Sequence, residues 1–121
     1  MANGVIKNIL SFESIDIYSE NLSANGCTCF GKIMKFGCIG IAEGTWKNNS
    51  GLTKPNSFIS NIPDKFRPAE EIEGSGMCTV LSNSEVLPAF PTIQTNGSIY
   101  EASTSNPLKN GSFCIIYKCK N

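Results

Sequence analysis

The side chains that could perform chemistry are few, because the 121-residue sequence contains no histidine. That absence removes serine–histidine and cysteine–histidine catalysis together with the commonest metal ligand. Three neighbouring carboxylates, Glu70, Glu71 and Glu73, are the residue type of a glycoside hydrolase pair. They are nearly adjacent and follow Pro68, which favours a solvated turn. The sequence therefore predicts a protein that is not an enzyme and has no cofactor, and glycan hydrolysis by Glu70 or Glu73 is the least favoured hypothesis.

Binding is the chemistry that remains, and saccharides are the ligand class that the residues favour. A sugar ring stacks its C–H face on an aromatic side chain, while its hydroxyls need directed hydrogen bonds from planar polar groups. Trp46, the one tryptophan, precedes the amides of Asn48 and Asn49, and Tyr100 lies on a predicted strand. These four residues are the candidate ligand-binding set. Trp46 itself has two interpretations, a glycan platform or a plug in the core or a subunit interface, and the plug is favoured.

These candidates need a scaffold, and the segment that organises it spans residues 61–74, here called the strap. Pro63 and Pro68 each fix φ at about −65° and remove a backbone donor, so the strap cannot be a helix interior or a central strand. Its Ile62 and Phe66 are apolar and favour burial. The pattern predicts an extended crossover that lies against a core and carries the chain from one sheet to another.

Arg67 stands next to Pro68 inside the strap, and two roles fit it. A guanidinium can hold a ligand carboxylate with two parallel hydrogen bonds. The favoured role is structural: Arg67 would pin the strap by bonding backbone carbonyls or an acidic neighbour such as Glu70 or Glu73.

The remaining pattern is one of short strands and turns, and no segment shows a helical period. Gly31 suggests a bulge in its strand. Asn96-Gly97 is a strong signal for a two-residue hairpin turn in which both residues take positive φ. Together these patterns predict an all-β fold, an antiparallel β-sandwich or jelly-roll-like domain of about eight short strands. The predicted strands cover residues 14–18, 27–35, 36–45, 76–82, 86–90 (an edge strand because of Pro88), 92–95, 98–102 and 112–119, with loops at 47–55 and 103–111.

The composition of the chain argues against two classes of binding partner. Ten basic and ten acidic residues give a formal net charge of zero, which argues against nucleic acid and against polybasic attraction to membranes. No apolar run is long enough to predict a membrane-spanning helix, and the first ten residues lack a signal-peptide pattern. Synthesis in a reducing cytoplasm is therefore expected. The six cysteines favour free, mostly buried thiols over disulfides or a metal site.

A resemblance to a known family rests on the strap and its flanks. Residues 62–68 (IPDKFRP) resemble the LP-x-(F/Y)-RP element in C-terminal domains of bacteriophage tail-fibre and baseplate proteins, with Ile62 where leucine is usual. The flanking strands are similar too, at residues 35–44, at 92–100 (TIQTNGSIY) and at 112–117. The resemblance covers residues 27–117.

The resemblance implies a receptor-binding tip domain at residues 27–121, preceded by a segment at residues 1–26 that is a first strand or a fibre attachment. It implies a homotrimer in the virion tail tip that contacts other tail proteins and a host cell-surface saccharide. The apolar residues on both faces of 112–119 also favour a trimer, because a small sandwich would struggle to hide both faces. The alternative hypothesis is a standalone bacterial carbohydrate-binding module, which predicts a monomer with Trp46 exposed.

Overall fold

A computed structural model describes residues 12–18 and 21–120 of the chain. Within them the fold is all-β, with two antiparallel sheets, as the sequence predicts. The described residues form ten strands where about eight were expected, together with one 3₁₀ turn at Asp64–Phe66. The strands are β1 (Phe12–Ile17), β2 (Thr28–Phe36), β3 (Ile39–Leu52), β4 (Ser57–Ile59), β5 (Ile72–Glu73), β6 (Gly76–Val80), β7 (Val86–Ala89), β8 (Pro91–Ile93), β9 (Ile99–Glu101) and β10 (Leu108–Lys118).

The ten strands form a large and a small sheet. The large sheet has six strands in the order β1-β2-β3-β10-β6-β7, and the small sheet has four in the order β4-β9-β8-β5. The core lies between them: the Phe58 ring of β4 stacks on Trp46 of β3 at 5.1 Å and meets Phe113 of β10 at 5.2 Å. Each strand of the large sheet therefore has an inner face toward the small sheet and an outer face away from it.

Strands β2 and β3 form where the sequence predicts strands at residues 27–35 and 36–45, and they pair as an antiparallel hairpin in which Gly31 makes no bulge. The ladder runs without a shift from Thr28↔Lys47 to Phe36↔Ile39, and Gly31 lies directly opposite Gly44. A Cβ on Gly31 would collide with the backbone of the facing strand at Glu43 and Gly44. The glycine pair thus permits a close approach of two backbones, which the sequence alone could not distinguish from a bulge.

The predicted loop at residues 47–55 is wrong over most of its length, because β3 continues to Leu52. Lys47 pairs with both Thr28 and Asn110, and Leu52 pairs with Leu108. Between those two pairs the register shifts, so residues 48–51 bulge out of the ladder. Polar composition suggested a loop here, but pairing with two neighbouring strands decides the conformation.

The last strand, β10, starts at Leu108, inside the predicted loop at 103–111, and lies at the centre of the large sheet. Its inner face buries Phe113, Ile115 and Tyr117. Its outer face presents Ile116, which is 64% exposed. Strand β7 lies at one edge of the sheet. Its Pro88 has no backbone N–H, which an edge strand tolerates because one of its sides has no neighbouring strand.

The strap follows β4 and includes β5 near its end, and these are the two outer strands of the small sheet. The expectation that it passes from one sheet to the other is therefore wrong. The chain changes sheets instead in the short connections on either side, between β3 and β4 and between β5 and β6. Strand β4 has three residues and β5 has two, and strands this short carry too little pattern to predict their partners.

The strap lies against the core through Ile62, Phe66 and Pro68, all buried. It is extended at Pro63 and at Arg67, which fits the restriction that Pro68 places on its predecessor. Between them, one 3₁₀ turn at Asp64–Phe66 interrupts the extended path that the sequence predicts. After this turn the strap runs beside β10, since the Ala69 N–H donates to the Lys118 carbonyl at 2.8 Å.

The hairpin at residues 94–98 joins β8 and β9, but its turn is longer than predicted. The Gly97 N–H donates to the Gln94 carbonyl at 3.0 Å, and the Gln94 N–H donates to the Ser98 carbonyl at 2.8 Å. Gly97 has a positive φ of 86°, whereas Asn96 does not. The turn is thus the three-residue type that ends in a left-handed glycine.

Strand β1 pairs with β2 at the other edge of the large sheet, from Phe12↔Phe36 to Ile17↔Gly31. It overlaps the strand predicted at residues 14–18. Residues 1–11, 19–20 and 121 lie outside the described part of the chain. The division into segments 1–26 and 27–121 stays a prediction.

Candidate ligand-binding site

Trp46 lies in the core rather than on the surface. Its side chain is 2% exposed and stacks on the Phe58 ring with an interplanar angle of 17°. Gly111 of β10 leaves room for it, since a Cβ there would lie 2.6 Å from Trp46 Nε1. Trp46 therefore fills the core, as the favoured interpretation expected. The interpretation of Trp46 as a glycan platform is wrong, because a buried ring cannot stack on a sugar.

The amide of Asn48 is used within the protein. Its Nδ2 donates to the Asn25 carbonyl at 2.9 Å and to the Cys27 sulfur at 3.6 Å, and its Oδ1 accepts from the Ser50 N–H at 3.0 Å. These bonds hold the bulge at residues 48–51 against the turn before β2. Asn48 is thus a positioning residue, and its neighbour Asn49 is exposed on the bulge.

Tyr100 is separated from the other candidates because it lies on β9 of the small sheet, half-buried, with Thr92 and Ser57 as its backbone partners. The structure therefore does not bring Tyr100 to the same surface as Asn49. Asn48 and Asn49 alone of the four candidates share a polar cleft.

That cleft, called the amide cleft, has a volume of about 360 Å³. The bulge of β3 and the turn before β2 form its two sides. Its lining is almost wholly polar, and consists of Asn25, Gly26, Thr28, Lys47, Asn48, Asn49, Ser50 and Gly51.

A second depression, called the groove, lies on the outer face of the large sheet and has a volume of about 480 Å³. Phe30 of β2 and Met77 of β6 stand at its sides, 53% and 49% exposed. Between them lie the hydroxyl and amide groups of neighbouring strands, from Thr45, Thr79, Asn110 and Ser112.

The groove and the amide cleft are neighbours, because Thr28 and Lys47 line both. These two residues are direct cross-strand partners in the β2–β3 ladder. Of the described residues that line the two depressions, none is acidic and Lys47 is the single cation.

Sequence reasoning missed Phe30 and Met77 as site residues. The signal for Phe30 was strand alternation: it falls between Cys29 and Gly31 and has the opposite parity from the buried Cys29 and Ile33. Met77 could not be found in the same way, because nothing in the sequence places β6 beside β10.

The outer face also carries an apolar patch at the far end of β2. It is defined by exposed residues on β1, β2, β3 and β10: Phe12, Phe36, Ile39 and Ile116. The Phe12 and Phe36 rings lie 4.8 Å apart, and Phe36 pairs with Ile39. Between the patch and the groove runs a charged row of cross-strand neighbours, Asp16, Lys32 and Glu43.

The carboxylates considered for hydrolysis lie at the surface. Glu70, Glu71 and Glu73 are all exposed, and Glu71 accepts a hydrogen bond from Gln94 Nε2 at 3.2 Å. Glu101 differs, since it is 3% exposed and its Oε2 accepts from the Phe90 N–H at 2.8 Å and the Ser103 N–H at 2.9 Å. Its partners are backbone donors, which indicates a structural role.

All six cysteines are free thiols, and four are buried. Burial raises the pKa of Cys29 to about 11, and it also raises the pKa of Cys27, Cys78 and Cys119. Thiols with raised pKa values stay protonated near neutral pH and are poor nucleophiles. Within residues 12–18 and 21–120, no group of three or more potential ligands is arranged to hold a metal ion.

Comparison with protein-family models and with curated proteins finds no match to this chain. In the part of the chain that the structure describes, no helix has the length and apolar character needed to cross a bilayer.

Proposed function

We propose that this chain is a non-enzymatic receptor-binding domain of a bacteriophage tail fibre or baseplate, located at the virion tail tip and made in the host cytoplasm. In this proposal it forms a homotrimer, contacts other tail proteins and binds a saccharide on the host cell surface. Three weak equivalent sites would then act together through avidity. The resemblance of residues 62–68 to the tail-fibre element suggests the family, and the strap's position against the core is compatible with it.

The observation that carries the proposal is the apolar patch. Ile116 lies on the outer face of the central strand β10 and is 64% exposed. The described residues of this chain do not cover it. Large exposed apolar surfaces mark sites of association. The patch is also separate from the groove: on β10, Ile116 lies four positions from Ser112 of the groove, about 13 Å at the usual strand rise. Three copies could meet through their patches and leave their grooves open.

The alternative function is a standalone carbohydrate-binding module, which the groove favours by itself. A groove with Phe30 at one side and hydroxyls between its sides would serve a monomer equally well. The two functions differ in oligomeric state, and the burial of Trp46 contradicts the exposed Trp46 that the module hypothesis predicts.

Light scattering coupled to size-exclusion chromatography tests the proposal. The expected result is a trimer that becomes a monomer when Ile116→Asp places a charge in the patch. The matched control is Val86→Asp, a change at an exposed apolar residue on the edge strand β7, which should leave the trimer intact. A wild-type monomer at working concentration would overturn the fibre-tip proposal and leave the monomeric module standing.

A further inference from the structure

The groove presents one exposed aromatic ring beside a set of hydroxyls. Phe30 and Met77 offer apolar surface at its two sides, while Thr45, the cross-strand partner of Phe30, lies between them. This combination suits a sugar ring, whose C–H face packs on an aromatic ring while its hydroxyls need polar partners. Phe30 is therefore the exposed ring that the sequence analysis sought in Trp46.

The hydroxyl of Ser112 in the groove already accepts one hydrogen bond and can still donate another. Ser112 Oγ accepts a 3.0 Å hydrogen bond from the Met77 N–H. A hydroxyl that accepts one bond still has its own hydrogen to donate. Ser112 can thus donate to a ligand oxygen while the same contact fixes the backbone beside Met77.

The charge of the combined surface favours an anionic ligand. Lys47 stands where the groove meets the amide cleft, and none of the described lining residues is acidic. An anionic group near Lys47 is therefore attracted without a neighbouring carboxylate of the site to repel it. Each depression lies within the range of about 300–1,000 Å³ that small-ligand sites occupy.

We infer that the groove and the amide cleft together bind an acidic oligosaccharide, with one sugar stacked on Phe30 and an anionic substituent beside Lys47. Asn49 and Ser50 then face the next sugar along the amide cleft. The inference rests on the proposed saccharide-binding function and names its site and ligand class. The anion can be a carboxylate of a sialic or uronic acid, or a phosphate substituent, because all of these present oxygens to an ammonium group.

The test is a glycan array printed with matched neutral, sialylated, uronic and phosphorylated oligosaccharides, followed by titration of the strongest hit. The wild-type protein should prefer an acidic glycan over its neutral counterpart. Phe30→Ala should weaken binding by roughly fivefold, since aromatic stacking is worth about 1 kcal/mol. Phe30→Trp should retain binding, and Phe90→Ala, which removes an exposed ring outside the site, should have no effect.

Lys47→Gln tests what the positive charge of Lys47 contributes to binding. It should abolish the preference, so that the acidic glycan and its neutral counterpart bind with equal affinity. Thermal unfolding of each variant checks that the fold is intact. Binding that is equal in wild type, Phe30→Ala and Lys47→Gln would overturn this site while leaving saccharide binding established. The absence of any glycan binding by the wild type would overturn both proposals, and binding confined to neutral glycans would overturn the acidic ligand class.

Discussion

The Tyr117 hydroxyl donates a 2.7 Å hydrogen bond to the Phe66 carbonyl oxygen, and this bond joins the central strand of the large sheet to the strap. Both residues are buried, so water does not replace the bond when it is lost. The Tyr117 ring also covers Gly40, its cross-strand partner in β3. The strap is therefore held by a specific polar contact as well as by the burial of Ile62 and Phe66.

Tyr117→Phe should destabilise the protein, because it leaves the buried Phe66 carbonyl without its donor. A buried unsatisfied acceptor costs about 1–3 kcal/mol of unfolding free energy. Urea unfolding at neutral pH measures the change. Tyr100→Phe, at a half-buried position on β9, is the matched control and should change stability much less. Equal losses in the two variants would contradict the proposed importance of the strap contact.

Gly97→Ala should be more destabilising than Gly26→Ala, although both glycines have positive φ, 86° and 79°. A Cβ at Gly97 would lie 2.7 Å from Arg67 Nε and 2.8 Å from the Ile62 carbonyl oxygen, whereas at Gly26 the nearest atom is 3.5 Å away. The left-handed backbone costs each variant about 1–2 kcal/mol. The additional loss of unfolding free energy in Gly97→Ala measures the clash with the strap. At that point of the strap, Arg67 Nε donates to the Ile62 carbonyl oxygen at 2.7 Å. Comparable denaturation midpoints for the two variants would count against tight packing there.

Glu101→Ala should cost more stability than Glu101→Gln. The buried carboxylate accepts two backbone N–H bonds, from Phe90 and Ser103. Alanine leaves both donors unsatisfied, at about 1–3 kcal/mol for each, whereas glutamine keeps an acceptor oxygen of similar reach. Chemical denaturation of the three proteins gives the order. A glutamine variant as unstable as the alanine variant would show that the negative charge, and not the hydrogen bonding, is what matters.

Stability should fall in alkaline solution, because burial raises the pKa of Cys29 from 9.0 to about 11 and raises the pKa of Tyr117 as well. A group whose pKa is higher in the folded state stabilises the fold fully below its unfolded pKa. That contribution is lost as pH rises through the folded pKa. For Cys29 alone the loss between pH about 9 and about 11 is of the order of 2 kcal/mol.

Urea unfolding of the wild type and of Cys29→Ala at several pH values between about 7 and 11 checks this expectation. Cys29→Ala should be less stable than the wild type at neutral pH, because it loses buried contacts and the bond from Sγ to the Phe58 carbonyl at 3.0 Å. The difference between the two proteins should shrink as pH rises. A constant difference across that range would mean that the Cys29 thiol has an ordinary pKa.

Much of the architecture could be predicted from local patterns. The residue pattern predicted strands at 27–35 and 36–45, where β2 and β3 lie, and Pro88 predicted that β7 is an edge strand. Proline geometry predicted an extended strap at Pro63 and Arg67. These features depend on residues that are neighbours in sequence, so the chain itself carries the signal.

The site could be predicted only in part. The amides Asn48 and Asn49 do border a cleft, but the composition around them suggested a loop where β3 continues. Trp46 was a candidate because of its chemistry, and it is buried because Gly111 of a distant strand leaves space over its ring. Both outcomes depend on which strands become neighbours.

The sequence by itself thus determined that the chain is all-β, that it has a buried strap and that its apolar residues lie on both faces of the last strand. Only the tertiary structure decided that β10 lies between β3 and β6, and hence that Phe30 and Met77 stand on either side of one groove while Trp46 lies beneath the sheet. The reason is physical: side-chain alternation is a property of each strand alone, whereas strand order is set by long-range pairing and by how two sheets fill the space between them.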